Sequence, residues 1–397
     1  MRLRSVLLLP AALAATAFGF EASSIALRTA PDKPEIMRLV ADVPLPGPAA
    51  RFDYQSLDPS DGRLYIAHMN ADQLVVFDTK KREVVANLDG FNRVHGVLAV
   101  PELGRVFASV TGDHQVAIVD RDSLKKIAQV GEIKYPDGLA YANSVNRVFV
   151  SDEHGNADVV IDAENNTVFT TIPLGGGAGN TAYDAVSDKV LVAVHGKNQL
   201  VVIDPLKAKI KAKTDLELLE DPHGIALDSE NQVAFVAGAG NNKLIAVDLK
   251  TMQFGPTFSV GRDPDVLAFD SGTKRLYVAS ESGHVFVFHE ANRTLEVEGD
   301  FHLPHGHTVA VDPKTHLVYF PLEEVNGKPV LRIMEFVGKP VSGRSTSQKA
   351  DAPAPATRGV FALGRRCAGL NPAPLGFIGI FCEIPQQFDE AVRFAAL

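Results

Sequence analysis

The chain repeats itself with a period of about 42 residues, and a period of that length restricts the architecture more than any other feature of the sequence. A short apolar run ending in an acid recurs as QLVVFD at 73–78, QVAIVD at 115–120, ADVVID at 157–162, QLVVID at 199–204 and KLIAVD at 243–248. HVFVFH at 284–289 and VLRIME at 330–335 complete seven copies. Upstream of each lies a second run: RLYIAH from 63, RVFASV from 105, RVFVSD from 147, KVLVAV from 189, QVAFVA from 232, RLYVAS from 275 and HLVYFP from 316. A third run precedes most of these, as in HGVLAV, DGLAYA, HGIALD, DVLAFD and HTVAVD, and a more polar fourth follows, such as EVVANL at 83–88. Val, Ile, Phe and Tyr dominate the runs, and Asp-Pro, Asn and Gly separate them, which favours strands over helices.

Four strands of five or six residues with their turns occupy about 40 residues, so each copy predicts one four-stranded antiparallel sheet. Such a sheet has two apolar faces and cannot cover both alone. Seven arranged radially cover each face with a neighbour, so the expected fold is all-β, a seven-bladed β-propeller over residues 36–336. The seventh copy stops after its third strand, while a strand-like segment at 36–45 precedes the first. That segment is expected to complete the last blade and close the ring.

PDGLAY at 136–141, DPHGIALD at 221–228, RLYVAS at 275–280 and QLVVID at 199–204 resemble the repeat of the YVTN family of β-propellers. The resemblance runs over the whole repeat region. It implies an exported bacterial-type propeller with a binding or interaction role, and it supplies no catalytic motif. The literal Tyr-Val-Thr-Asn tetrapeptide is absent, and the fourth copy carries GGGAGN at 175–180 where other copies enter through Pro-x-Gly, which predicts a displaced inner loop there.

Outside the repeat, Arg2 and Arg4 precede an apolar stretch from Val6 to Phe20 that contains Ala15-Thr16-Ala17, the pattern of a cleavable signal peptide over residues 1–17. A periplasmic or secreted protein is therefore expected. No later stretch approaches the ~20 apolar residues of a membrane span. Residues 337–358, rich in Pro, Ala, Ser and Thr, read as a disordered linker, and 359–397 as a tail of undefined structure. Its Cys367 and Cys382 are the only cysteines and form a candidate disulfide in an oxidising compartment.

The net charge is -9, and -11 once Arg2 and Arg4 are removed, which disfavours nucleic acid as a partner. The alternating Lys207, Lys209, Lys211 and Lys213 fall where an outer strand should lie and read as edge protection.

Aligning the copies on the innermost strand brings Asp53, His95, Asp137, Gly179, His223, Asp265 and His307 to one register, which should ring one mouth of the channel. The end of the second strand returns to the same face and adds His68, Asp152, Glu153, His154 and His195. Of twelve histidines, only His289 and His316 fall clearly outside this face. Polar residues at strand entries commonly cap turns, but imidazoles flanked by carboxylates also titrate near neutral pH and ligate metals. A divalent metal ion is the one cofactor this pattern suggests, with Asp53, His95 and His307 as its candidate ligands. The histidines are expected to make affinity change between about pH 7 and 5. Nucleophile-elbow, zincin, P-loop and EF-hand motifs are all absent. The sequence therefore reads as a binding protein for a small molecule, metal ion or protein partner. A metal-dependent hydrolase or lyase of the lactonase kind is the alternative.

Overall fold

The computed structural model describes residues 36–338. Every sheet in this region has four antiparallel strands, and seven such sheets form the blades of a closed propeller. Blade 2 shows the pattern: Val94–Val100 lines the channel, followed outward by Arg105–Val110, Gln115–Asp120 and Lys126–Gly131. Blades 3 to 6 begin with the inner strands Pro136–Ala142, Ala178–Asp184, Pro222–Asp228 and Pro264–Asp270. Those of blades 1 and 7 are shorter, Gln55–Leu57 and Ala310–Val311.

The Asp that ends the third strand of blades 1 to 5 has a local cause. Asp78 accepts the backbone N–H groups of Lys80 and Lys81, both at 2.9 Å, and Asp162 those of Glu164 and Asn165. Asp248 does the same with Lys250 and Thr251. The side chain replaces the hydrogen bonds that the chain gives up when it turns into the fourth strand.

Both faces of the middle strands are buried, because each blade packs on two neighbours. Seven apolar clusters result, one per interface; Tyr65, Leu74, Val94 and Val106 belong to that between blades 1 and 2. A cation at the start of the second strand ties blades together at a spacing of about 58 residues. Arg63 donates to the carbonyl of Arg121 at 2.6 Å, Arg147 to that of Pro205 at 2.8 Å, and Arg105 reaches the carbonyl of Ala163.

The expected closure is present. Met37–Pro44 pairs antiparallel with Lys328–Phe336 and is the fourth strand of blade 7, with Met37 opposite Phe336. Met37 is buried in the cluster between blades 6 and 7, and Arg332 makes a two-point ion pair with Asp42 at 2.8 and 2.6 Å. The fourth blade corrects one expectation. Ala178–Asp184 pairs with Lys189–Val194 in the register of its neighbours, so the glycines at 175–177 do not displace its inner strand. The assigned signal peptide, the linker beyond Gly338, the tail and the Cys367–Cys382 pair lie outside the described residues.

Candidate functional site

Five inner strands carry a β-bulge at their entry, and the aligned residues sit on it. The ladder skips between Val94 and Val97, Pro136 and Leu139, Ala178 and Thr181, Pro222 and Ile225, and Pro264 and Leu267. A bulge frees two residues from pairing and re-aims their side chains. This turns His95, Asp137, His223 and Asp265 towards the channel mouth. The residue after each must be small where neighbouring bulges meet: a Cβ on Gly96 would lie 2.0 Å from the carbonyl oxygen of Asp137.

The mouth is a cavity of about 370 Å³ whose lining includes Asp53, His95, Asp137, His195, His223 and Asp265. Glu153, Asp263 and Glu281 add three more carboxyl groups, against the cations Arg51 and Arg93. Arg51 grips Glu281 with both terminal nitrogens, at 3.1 and 2.5 Å, and lies 3.7 Å from Asp265. On its other side Asp265 meets His223 Nε2 at 3.3 Å, and His223 Nδ1 is 3.0 Å from His195 Nε2. Burial opposes a charge on His223, but its hydrogen bond to Asp265 and the charges of Asp265, Asp137 and Glu153 raise it to about 9. Burial and the His223 charge push His195 down to about 4. His223 is then an imidazolium that donates from both nitrogens, to Asp265 and to a neutral His195.

Gly179, the one non-polar member of the aligned ring, makes this chain of contacts fit. A Cβ there would stand 2.9 Å from His195 Nε2 and 3.0 Å from His223 Cα.

Two carboxyls in the cavity are held against ionisation. Burial, with the charges of Glu153 and Asp265 and against the pull of His223, lifts Asp137 to about 7. Burial and the charges of Asp137 and Asp265 put Asp53 well above the usual carboxylate range. Asp265 goes the other way, because His223, His307 and Arg51 outweigh its burial. Asp137 is only 4% exposed, and its Oδ1 is buried without a hydrogen-bond partner.

The cavity ends at a side-chain bridge. Tyr54 donates to Asn180 Oδ1 at 2.5 Å, with His223 Nε2 at 3.4 Å from the same hydroxyl. Further along the inner strands a second cavity, of about 420 Å³, is lined by Asn180 and Tyr54 together with Leu98, Leu139, Leu267 and Phe269.

Several sequence-assigned residues lie elsewhere. His68 is fully buried, stacked on Phe52 with ring centroids 4.0 Å apart, and burial lowers it to about 4. Asp152 is buried and accepts from the backbone N–H groups of Tyr135 at 2.7 Å and Gly155 at 3.0 Å. Both are strand-end residues whose side chains point away from the cavity. In the next register the direction reverses, and Met69, Glu153, His195 and Glu281 line it. His154 is exposed and packs on Tyr135, centroids 4.1 Å apart.

The proposed metal trio also separates. His95 Nδ1–H donates to the carbonyl of Arg93 at 2.7 Å, and its Nε2 accepts from the Tyr135 hydroxyl at 3.1 Å. Asp53 is not grouped with it. His307 instead joins Asp265 and Glu281, their ligand atoms all within 4.8 Å of one another, the one such trio among the described residues. The sequence reading missed Arg51, Tyr54, Tyr135, Asn180 and Glu281. A signal was present: Arg51, Arg93 and Tyr135 share the register two residues before the aligned ring, and Tyr54 and Asn180 stand where copies 2, 3 and 5 have Gly.

No protein-family model and no curated protein matches this chain. Solved structures do match. One is from Kuenenia stuttgartiensis hydrazine synthase, with a TM-score of 0.62, 14% identity, and coverage of 72% of this chain and 96% of the other. Another is from a mitotic checkpoint complex, with a TM-score of 0.65, 12% identity, and coverage of 82% and 100%. At these identities the likeness is one of fold. It agrees with the seven-bladed ring.

Proposed function

We propose that this protein is an exported, non-catalytic binding propeller that takes a small cationic ligand into the polar cavity at its channel mouth. The observation that carries this reading is Asp137 Oδ1, a buried carboxylate oxygen without a partner in a cavity where six carboxyl groups face two arginines and a protonated His223. Leaving such an oxygen unpaired costs about 1–3 kcal/mol, and a bound cation would supply the missing partner and favour the ionised forms of Asp53 and Asp137 that burial and neighbouring acids disfavour. Export is supported by the basic start and apolar stretch of residues 1–20.

The test is thermal unfolding of the purified protein at pH 8 with single divalent chlorides and with ethylenediammonium. At least one cation should raise the midpoint for the parent and fail to do so for Asp137→Asn. If no cation of either kind shifts the parent, the reading is wrong. The metal-dependent hydrolase alternative draws on one observation, the proximity of Asp265, Glu281 and His307. It requires metal-dependent turnover of a lactone by the parent that is lost in His307→Gln.

A further inference from the structure

We propose that Asp265, Glu281 and His307 form a binding site for a borderline divalent metal such as zinc, with Arg51 as the tethered cation that stands in until metal arrives. The inference rests on the cation-binding reading of the cavity and specifies its ligand. Its geometric basis is the trio whose ligand atoms lie within 4.8 Å of one another.

Three features distinguish this trio from a cluster of acids. His307 is 2% exposed, and its Nε2 lies 2.9 Å from the carbonyl oxygen of Phe52. A carbonyl can only accept, so Nε2 carries a proton, and Nδ1 is the nitrogen left to give its lone pair to a metal in the neutral ring. Fixing a histidine through its far nitrogen on a backbone carbonyl is the outer-shell arrangement that metal-ligating imidazoles need. Asp265 is likewise oriented through one oxygen, by His223 Nε2 at 3.3 Å, which leaves its other oxygen for a metal. Finally, the nine-tenths-buried Asp137, with its unpartnered Oδ1, lines the same cavity as Asp265 and Glu281. Once ionised, it adds negative charge to the cavity through an oxygen that no internal donor occupies.

One imidazole nitrogen and two carboxylate oxygens form a donor set suited to zinc or manganese, and at equal geometry zinc binds more tightly. Three protein ligands leave coordination positions open towards the cavity. Arg51 already places one positive charge between Glu281 and Asp265, so a divalent ion competes with it directly. That competition gives the site a signature opposite to the one expected if Arg51 merely braces the fold.

The experiment is isothermal titration of chelator-stripped protein with zinc chloride at pH 7.5, repeated with cobalt(II) while its visible absorption is recorded. The parent should take up one zinc per chain. His307→Gln and Glu281→Gln should each weaken binding at least tenfold and abolish the cobalt band, while Arg51→Gln should tighten it several-fold. Circular dichroism checks that the variants are folded; should Arg51→Gln unfold, Arg51→Lys replaces it, and its weaker hold on Glu281 should still tighten zinc binding. The inference is overturned if the parent takes up no zinc, or if the two Gln variants at 281 and 307 bind it as the parent does. If zinc fails while ethylenediammonium protects the parent in an Asp137-dependent way, the cavity reading survives and only the metal assignment falls. If neither binds, both fall.

Discussion

Tyr54 of blade 1 and Asn180 of blade 4 meet across the channel through a 2.5 Å hydrogen bond, so that two side chains divide the bore into a polar mouth and a less polar inner cavity. Both occupy a register where blades 2, 3 and 5 carry Gly96, Gly138 and Gly224. The small residues leave the axis open, and the tyrosine fills it. Gly138 is needed for this in a second way, since a Cβ there would lie 2.9 Å from Asn180 Oδ1.

Tyr54→Phe leaves Asn180 Oδ1 without its donor. An unpaired buried amide oxygen costs about 1–3 kcal/mol, and urea unfolding should show a loss in that range. A stability equal to the parent's would mean that the bridge contributes nothing to the ring.

Gly179→Asp restores the Asp/His pattern of the other copies, yet the structure predicts harm. The new Cβ would stand 2.9 Å from His195 Nε2 and 3.0 Å from the His223 backbone. Overpacking of this kind costs roughly 1–3 kcal/mol. A denaturation midpoint at or above the parent's would refute the steric account of this glycine.

The His223–Asp265 contact predicts an alkaline dependence of stability. His223 is raised to about 9 in the folded chain from an ordinary value of 6.5. Its contribution is therefore complete below about pH 6.5 and declines as pH rises through 9. Asp265, held below the usual carboxylate range, contributes above that range and loses its contribution as pH falls through its lowered value. The stability difference between parent and His223→Gln should shrink from pH 6.5 to pH 10. A constant difference would mean that His223 is not charged in the fold.

Asp137, rather than His95 or His195, titrates near neutrality. Burial, then His223, Glu153, Asp265 and Arg51, together place it at about 7, whereas burial pushes His95 and His195 to about 4. A cation bound beside Asp137 should expel its proton. Calorimetry with the cation that shifts the melting midpoint, run in buffers of different ionisation enthalpy, should register proton release at pH 6.5 that fades by pH 8.5. The Asp137→Asn variant should register none from this group.

Ring closure makes the first described strand part of the core. Met37 is 1% exposed between blades 6 and 7, so Met37→Ala should cost about 2–5 kcal/mol. The partly exposed Asp42 of the same strand should matter less, and Asp42→Ala should cost under about 1 kcal/mol. Equal effects in chemical denaturation would show that charge, not burial, secures the closing strand.

Repetition made the architecture legible before any coordinate. Seven spaced runs of Val, Ile, Phe and Tyr, five of them ended by a turn-capping Asp, leave no other economical way to cover two faces per sheet, and the spare segment at 36–45 named the closing strand. The aligned positions Asp53, His95, Asp137, His223 and Asp265 also reached the cavity, since a residue carried through a repeat keeps its place in the blade. What the sequence alone could not decide was direction and partnership. Strand side chains alternate, so a shift of one residue turned His68 and Asp152 away and brought Glu281 in beside Glu153 and His195. The contacts of Arg51 with Glu281, Tyr54 with Asn180 and His307 with Asp265 and Glu281 join residues from different blades. Only the tertiary structure decides them, because the ring sets which blades face each other and its low-dielectric interior sets which of their acids and bases carry charge.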